Sequence, residues 1–260
     1  MKRIKIATWN IGSMPEKESN REAVLACIAG LDADILCMQE FPEDAELIRR
    51  ICDAGQYQDY KTLMTSQSHV GLPHRMGIAA FSRMRQEKAE VHSLPIPYES
   101  LISFYGRREQ LHGKAFMAVW FGDLVLITGH GFPCVRYCSP RFGFRQEMTE
   151  NWSSYCVSGT EYAVSHEDLD HWAEEIRKAC DPLPVIVAAD FNVDRQLDYM
   201  PECRKHWQDV FEGEVTRPPQ YNIGEYKTDA ILLPQDCRIA GRENIPGILD
   251  HHLLSVTVEL

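Results

Sequence analysis

The run Val185-Ile186-Val187-Ala188-Ala189-Asp190-Phe191-Asn192-Val193-Asp194 decides how the rest of this chain is read. Five small or β-branched apolar residues stop at a carboxylate, and an amide follows two positions later. A buried strand that delivers polar groups to the rim of a sheet has this pattern. Continued alternation puts Asp190 and Asn192 on one side and Phe191 on the other, so both polar groups could address one phosphate or one metal-bound water. Taken alone, Asp-x-Asn fits equally a strand end followed by a turn in which the Asp side chain bonds its own backbone. The question is whether other isolated polar residues end apolar runs in the same way.

Several do. Ile4 to Trp9 alternates and stops at Asn10-Ile11-Gly12. Ala23, Val24, Cys27, Ile28 and Leu31 recur at helical spacing, and Asp32-Ala33-Asp34 closes that helix before a second apolar run, Ile35 to Gln39, which ends at Glu40. This reads as a strand–helix–strand unit. A carboxylate buried there without a cation would cost several kcal/mol, so a metal or a basic partner is implied. A helix from Glu43 to about Ala54 follows, then a polar, Gly-containing loop with His69 and His74, then a strand from Gly77 to Arg83. Val91 to Leu94, Lys114 to Phe121 and Leu124 to Thr128 read as strands, the last two joined by a tight Gly122-Asp123 turn. His130 lies just past the third of these. Ser165-His166-Glu167-Asp168 reads as a capping box opening a helix to about Ala179. Asp229 opens a strand instead of ending one, and Asp250-His251 precedes a closing strand, Leu253 to Val258. The collected set is Asn10, Glu40, His130, Asp190, Asn192, Asp229, Asp250 and His251: four carboxylates, two amides and two imidazoles, all at strand boundaries.

Bulk properties narrow the class. The chain has 260 residues, with 44% hydrophobic and 25% charged, which is a globular composition. No Pro/Gly/Ser-rich linker divides it, so a single domain over 1–260 is expected. The net charge of −11, with no block of Lys and Arg, argues against a protein that clings to nucleic acid through phosphate neutralisation alone. Nine cysteines at 27, 37, 52, 134, 138, 156, 180, 203 and 237 form no Cys-x-x-Cys pair, so zinc-ribbon and thioredoxin readings have no support. Reduced thiols acting as small hydrophobes suit a cytoplasmic location. The basic start, Met1-Lys2-Arg3, lacks the apolar region of a signal peptide, and no apolar run approaches a membrane span.

The segment 132–164 changes character. Phe132, Tyr137, Phe142, Phe144, Trp152, Tyr155 and Tyr162 alternate with Arg136, Arg141 and Arg145. Aromatic faces interleaved with guanidinium groups suit stacking on bases or sugars and pairing with phosphate, which makes the three arginines candidates for substrate binding. The same composition also fits an insertion that packs its aromatics on its own strand edges.

The ordered motifs Trp9-Asn10, Gln39-Glu40, Gly77-x-Ala79-x-Phe81-Ser82-Arg83, Gly129-His130, Asp190-Phe191-Asn192, Thr228-Asp229-Ala230-Ile231 and Asp250-His251 resemble the endonuclease/exonuclease/phosphatase superfamily, the deoxyribonuclease-like fold, from residue 4 to 258. The resemblance implies a four-layer α/β/β/α sandwich, an α/β (α+β) fold with two mostly antiparallel mixed sheets flanked by helices. It implies a divalent-metal-dependent hydrolase of phosphodiester bonds, a nuclease or phosphodiesterase. Glu40, supported by Asn10 and Asp250, would hold Mg2+ or Mn2+, since hard oxygen ligands suit those ions. His251, oriented by Asp229, would take the proton of the attacking water or steady the phosphate, with Asp190 the other candidate base. Asn192 would donate to a phosphate oxygen, and His130 would protonate the leaving oxygen or bind phosphate. Asp250 follows Leu249 where many relatives carry Ser, and 132–164 matches no subfamily, so the reaction class is better defined than the substrate. The expected partner is a phosphate ester, with single-stranded or small nucleic acid among the candidates and no obligate protein partner. The alternatives are a phosphomonoesterase or inositol- or sphingolipid-phosphate hydrolase, and a non-catalytic binding module of the same fold.

Overall fold

The computed structural model describes residues 2–12, 18–66, 76–95, 114–131, 159–192, 196–217, 227–247 and 249–260, with backbone alone at 159–163. Two six-stranded sheets form the centre. The first contains β1 (Arg3–Asn10), β2 (Ile35–Pro42), β3 (Asp59–Ser66), β4 (Met76–Ser82), β11 (Arg238–Ile245) and β12 (Leu253–Glu259), in the order β11-β12-β1-β2-β4-β3. The second contains β5 (Lys88–Ser93), β6 (Ala115–Trp120), β7 (Val125–His130), β8 (Val185–Asp190), β9 (Trp207–Asp209) and β10 (Asp229–Pro234), in the order β5-β6-β7-β8-β10-β9. Each sheet has one parallel pair, β1 with β2 and β7 with β8, and is otherwise antiparallel. Helices α1 (Glu18–Leu31) and α2 (Ala45–Gly55) cover the outer face of the first sheet, while α3 (Gly159–Cys180) and α4 (Pro201–His206) cover that of the second. This is the layered sandwich expected from the motifs.

Alternation along the strands assigns every side chain to a layer. In β8, Val185, Val187, Ala189 and then Phe191 pack toward the helices, whereas Ile186 and Ala188 pack between the sheets. Ile4 and Ile6 of β1, Leu126 of β7, and Ile231 and Leu233 of β10 also lie in that inner core. The next residue in step along each of these four rows is polar and buried: Thr8 and Asn10, Thr128 and His130, Asp190, and Asp229. The inter-sheet core therefore runs directly into the candidate cluster. Gln39 bridges the two sheets at that junction, its Nε2 donating to Thr8 Oγ1 at 3.0 Å and to Thr128 Oγ1 at 3.4 Å.

Several elements differ from the sequence reading, among them α4 and β9, which it did not assign. The stretch taken as loop after α2 contains β3, and β11 was not anticipated; both are edge strands of the first sheet, so they lack the apolar burial that makes a strand visible in sequence. Helix α3 begins at Gly159, before the supposed capping box. Ser165 lies inside the helix and donates its hydroxyl to Pro95 O at 3.0 Å, which anchors the helix to the chain leaving β5. The arginines Arg136, Arg141 and Arg145, and His69 and His74, lie outside the described residues. Among those described, no helix is long and apolar enough to cross a membrane, and the six described cysteines are free. Burial pushes the Cys37 thiol up to about 12, so it behaves as a small hydrophobe.

Helix α4 shows how the covering layer is fastened. Its first turn has Pro201 but no side-chain cap of its own. Asp170, buried on α3, accepts from Glu202 N at 2.8 Å and Cys203 N at 2.7 Å and so caps α4 from a different helix. Asp170→Ala is expected to lower the unfolding free energy by about 1–3 kcal/mol with an unchanged denaturant slope. A change below about 0.5 kcal/mol in urea titration would show that this cap contributes no more than an ordinary surface residue.

Candidate active site

Asp190 is the centre of the polar cluster. It is fully buried, yet both oxygens are satisfied: Oδ1 accepts from Asn192 N at 2.8 Å, and Oδ2 accepts from Asn10 Nδ2, also at 2.8 Å. The chain does not continue extended to Asn192 as plain alternation implies. Asn192 turns into the left-handed region at φ 55°, and its side-chain amide donates to Gly131 O at 3.0 Å. The turn in which an Asp side chain bonds the backbone two residues on is therefore present, and it pins Asn192 against the end of β7.

Glu40 reaches the same cluster by a different route. Strict alternation would send it toward the helices with Leu36 and Met38. The pairing of β2 with β4 shifts between Gln39 and Phe41, and Glu40 itself sits at φ 52°. This bulge uses up one residue, returns Phe41 to the helix side and frees the Glu40 side chain to turn to the rim. A left-handed non-glycine residue costs about 1 kcal/mol or more, and at a strand tip such strain marks a placed side chain. Glu40 Oε1 lies 3.3 Å from Asn10 Nδ2 and 3.7 Å from His130 Nε2, which is itself 3.5 Å from Asp190 Oδ2. Asn10, Glu40, His130 and Asp190, from four strands, are thus brought together.

On the other side of Asp190 stands a second group. Asp229 faces Asp190 across the β8/β10 pair, and its Oδ2 gathers Thr216 Oγ1 at 3.0 Å, Thr228 Oγ1 at 2.9 Å and His251 Nδ1 at 2.9 Å. His251 Nδ1 is 3.9 Å from Asp190 Oδ2. Trp9 Nε1 donates to His251 O at 3.1 Å, which holds the 250–251 turn against β1. Asp250 pairs through Oδ2 with Arg217 Nη2 at 3.2 Å, while its Oδ1 is buried without a hydrogen-bond partner. Sequence reasoning missed Arg217 and Thr216, which precede Pro218-Pro219 in sequence and carry no strand pattern. It also missed Lys114, whose ammonium stands 2.9 and 3.0 Å from the two ring nitrogens of His130. A neutral imidazole accepts at only one of its two ring nitrogens, so the ammonium donates to whichever of them carries the lone pair. The available signal was a single cation at the mouth of the apolar run 115–120.

These contacts set unlike protonation states. Burial pushes Asp190 up to about 6, reinforced by Asp229 and opposed by His251, Asn10 and the Asn192 backbone. Burial alone would push the His251 imidazolium down, but the charge and hydrogen bond of Asp229, with Asp190, outweigh it and raise the group to about 9. Burial brings Lys114 down to about 8 against the pull of Glu40 and Asp190. Asp190, Asp229 and His251 present ligand atoms within 4.8 Å of one another and so could hold an ion. His251 Nδ1 is already bonded to Asp229 Oδ2.

A model of the Endonuclease/Exonuclease/phosphatase family matches residues 7–247. The chain belongs to this family. Solved structures share the fold of this family member. The catalytic domain of human Nocturnin with bound sulfate anion has a TM-score of 0.65 at 15% identity and covers 99% of this chain and 94% of its own. An endonuclease/exonuclease/phosphatase from Bacteroides vulgatus has 0.66 at 15% identity, with 100% of both chains covered. TDP2 from C. elegans has 0.63 at 13% identity, covering 99% of this chain and 75% of its own. At these identities the likeness shows the fold alone. No curated protein sequence matches the chain.

The raised His251 has a definite sign in folding. Its folded value of about 9 lies above the ordinary 6.5, so the stability it contributes is complete below about pH 6.5 and is lost as pH rises through 9. In metal-free protein, the loss of unfolding free energy between pH 6.5 and 9 should be shallower in Asp229→Asn than in the unsubstituted chain, by on the order of 2–3 kcal/mol. Parallel pH–stability curves for the two would contradict the Asp229–His251 coupling.

Proposed function

We propose that this family member is a divalent-metal-dependent hydrolase of phosphodiester bonds that works by in-line attack of water. The observation that carries the reading is the convergence on Asp190 Oδ2 of Asn10 Nδ2 at 2.8 Å, His130 Nε2 at 3.5 Å and His251 Nδ1 at 3.9 Å, at the rim of the inter-sheet core.

The residues present suit Mg2+ or Mn2+. Glu40 offers a carboxylate at a bulged strand tip, Asp250 keeps a buried oxygen without a hydrogen-bond partner, and Asn10 adds an amide oxygen, so the donors are all hard. Glu40 would be the principal holder, with Asn10 and Asp250 in support. Such an ion supplies Lewis-acid stabilisation of charge on phosphate oxygens when bound.

The chain's own groups divide the remaining work. Asp190 is ionised above about pH 6 and takes the proton of the attacking water. His251 stays protonated at neutral pH because Asp229 holds its Nδ1, so it steadies the phosphate as a cation in preference to acting as the base. Thr216 and Thr228 fix Asp229 in that role. Asn192, held against Gly131, lies beside the reacting centre as a hydrogen-bond donor for charge that builds on the phosphoryl group. His130, 3.5 Å from Asp190 Oδ2 and with the Lys114 ammonium beside it, would bind phosphate or meet the leaving oxygen. Arg136, Arg141 and Arg145 remain the candidate substrate-binding residues, and a cytoplasmic setting agrees with the free thiols.

A hydrolysis panel tests the proposal: plasmid, abasic duplex, single-stranded DNA, RNA, bis-p-nitrophenyl phosphate and a phosphomonoester, each with Mg2+, Mn2+ or EDTA. Cleavage of at least one diester that EDTA abolishes is expected, with Asp190→Asn and His251→Ala each reducing kcat about 100-fold or more. Variants as active as the unsubstituted chain would refute the site. Cleavage of the monoester alone would shift the reading to a phosphomonoesterase.

A further inference from the structure

Gly12 follows β1 by two residues, and its backbone N–H donates to Asn10 Oδ1 at 3.0 Å. A Cβ placed on it would lie 2.0 Å from Glu40 Oε2, 2.9 Å from Glu40 Cδ and 3.4 Å from Asn10 Oδ1. The first distance is far inside van der Waals contact, so a side chain at position 12 and the Glu40 carboxylate compete for one volume. Gly12 is not among the residues at positive φ, which means the glycine is required for room and not for backbone conformation. What can give way in Glu40 is the end of its side chain, not its backbone. Its backbone is fixed in the left-handed bulge, and Oε1 is already placed by Asn10 Nδ2 at 3.3 Å and His130 Nε2 at 3.7 Å.

We propose that Gly12 is a positioning residue: the space left by its missing side chain seats the Glu40 carboxylate and so sets where a divalent ion can be held. The proposal rests on the reading of Glu40 as the principal ion-holding group. Gly12 touches no reacting atom and acts through Glu40 alone. The atom met by the Cβ is the far end of a flexible side chain, so a substitution displaces the carboxylate without demanding a change of fold.

The test is titration calorimetry with Mn2+ on the full chain, together with thermal unfolding in EDTA, for the unsubstituted protein, Gly12→Ala, Glu40→Gln and the double variant. Gly12→Ala should weaken Mn2+ binding at least about tenfold while its unfolding midpoint in EDTA moves by no more than about 2 °C. In the Glu40→Gln background the same substitution should change affinity less than about twofold, because an effect that passes through one carboxylate is not additive with its removal. Equal Mn2+ affinity in Gly12→Ala and the unsubstituted chain, or additive effects, would overturn the proposal. If Gly12→Ala does not fold, Gly12→Ala/Glu40→Ala must recover the fold, since the competing group is gone; failure to recover also overturns it. A Glu40→Gln variant that binds Mn2+ as tightly as the unsubstituted chain would remove the ion-holding reading itself, and this proposal with it.

Discussion

A buried carboxylate must find compensating donors or stay protonated, and the architecture of this protein turns on how Asp190 meets that demand. Its row of inward side chains, Ile186, Ala188, Asp190, leaves the inter-sheet core without leaving the protein. Compensation has to come from neighbouring rows that reach the same depth: Asn10 from β1, the Asn192 backbone from its own turn, and more distantly His130 and His251. Asp229 repeats the problem beside it and meets it on one oxygen only, drawing two hydroxyls and an imidazole onto Oδ2 while Oδ1 is buried without a hydrogen-bond partner. Two acids in nearly the same place thereby acquire different tasks, one able to accept a proton near neutrality and one committed to holding a histidine in its charged form.

The parallel pairs explain why so many chain segments meet there. Parallel neighbours end at the same edge of a sheet, so β1 and β2 bring Asn10 and Glu40 to one rim, and β7 and β8 bring His130 and Asp190 to the facing rim. Antiparallel β10 starts where β8 stops, which is why its acid opens the strand. Glu40 is the exception that depends on local backbone chemistry, because only the bulge after Gln39 rescues it from the helix-facing row. That dependence makes its surroundings, Asn10 and Gly12 included, more consequential than those of the residues that arrive in step.

Much of this was legible in sequence wherever burial was two-sided. The runs ending at Glu40, His130 and Asp190 are buried on both faces and the one ending at Asn10 alternates, and a polar residue at the end of each stands out. The edge strands β3 and β11 were not legible, because a strand exposed along one side needs no continuous apolar pattern. The start of α3 was misplaced because Ser165, a good first residue for a helix, serves instead as a tether to Pro95. Lys114 and Arg217 escaped notice for a different reason. Their part in the cluster comes from contacts between distant segments, with His130 and with Asp250, and no local periodicity encodes these.

The Gln39 bridge has a mechanical consequence. Two sheets joined only by aliphatic contacts resist separation strongly but sliding weakly, since the hydrophobic effect has no direction. Hydrogen bonds do have direction, and Gln39 spans the gap to Thr8 on its own sheet and Thr128 on the other. Its neighbours along the three strands are Glu40, Asn10 and His130. Shear between the halves of the molecule is therefore opposed within two residues of the groups it would misalign, so the register of the two rims is tied to one amide.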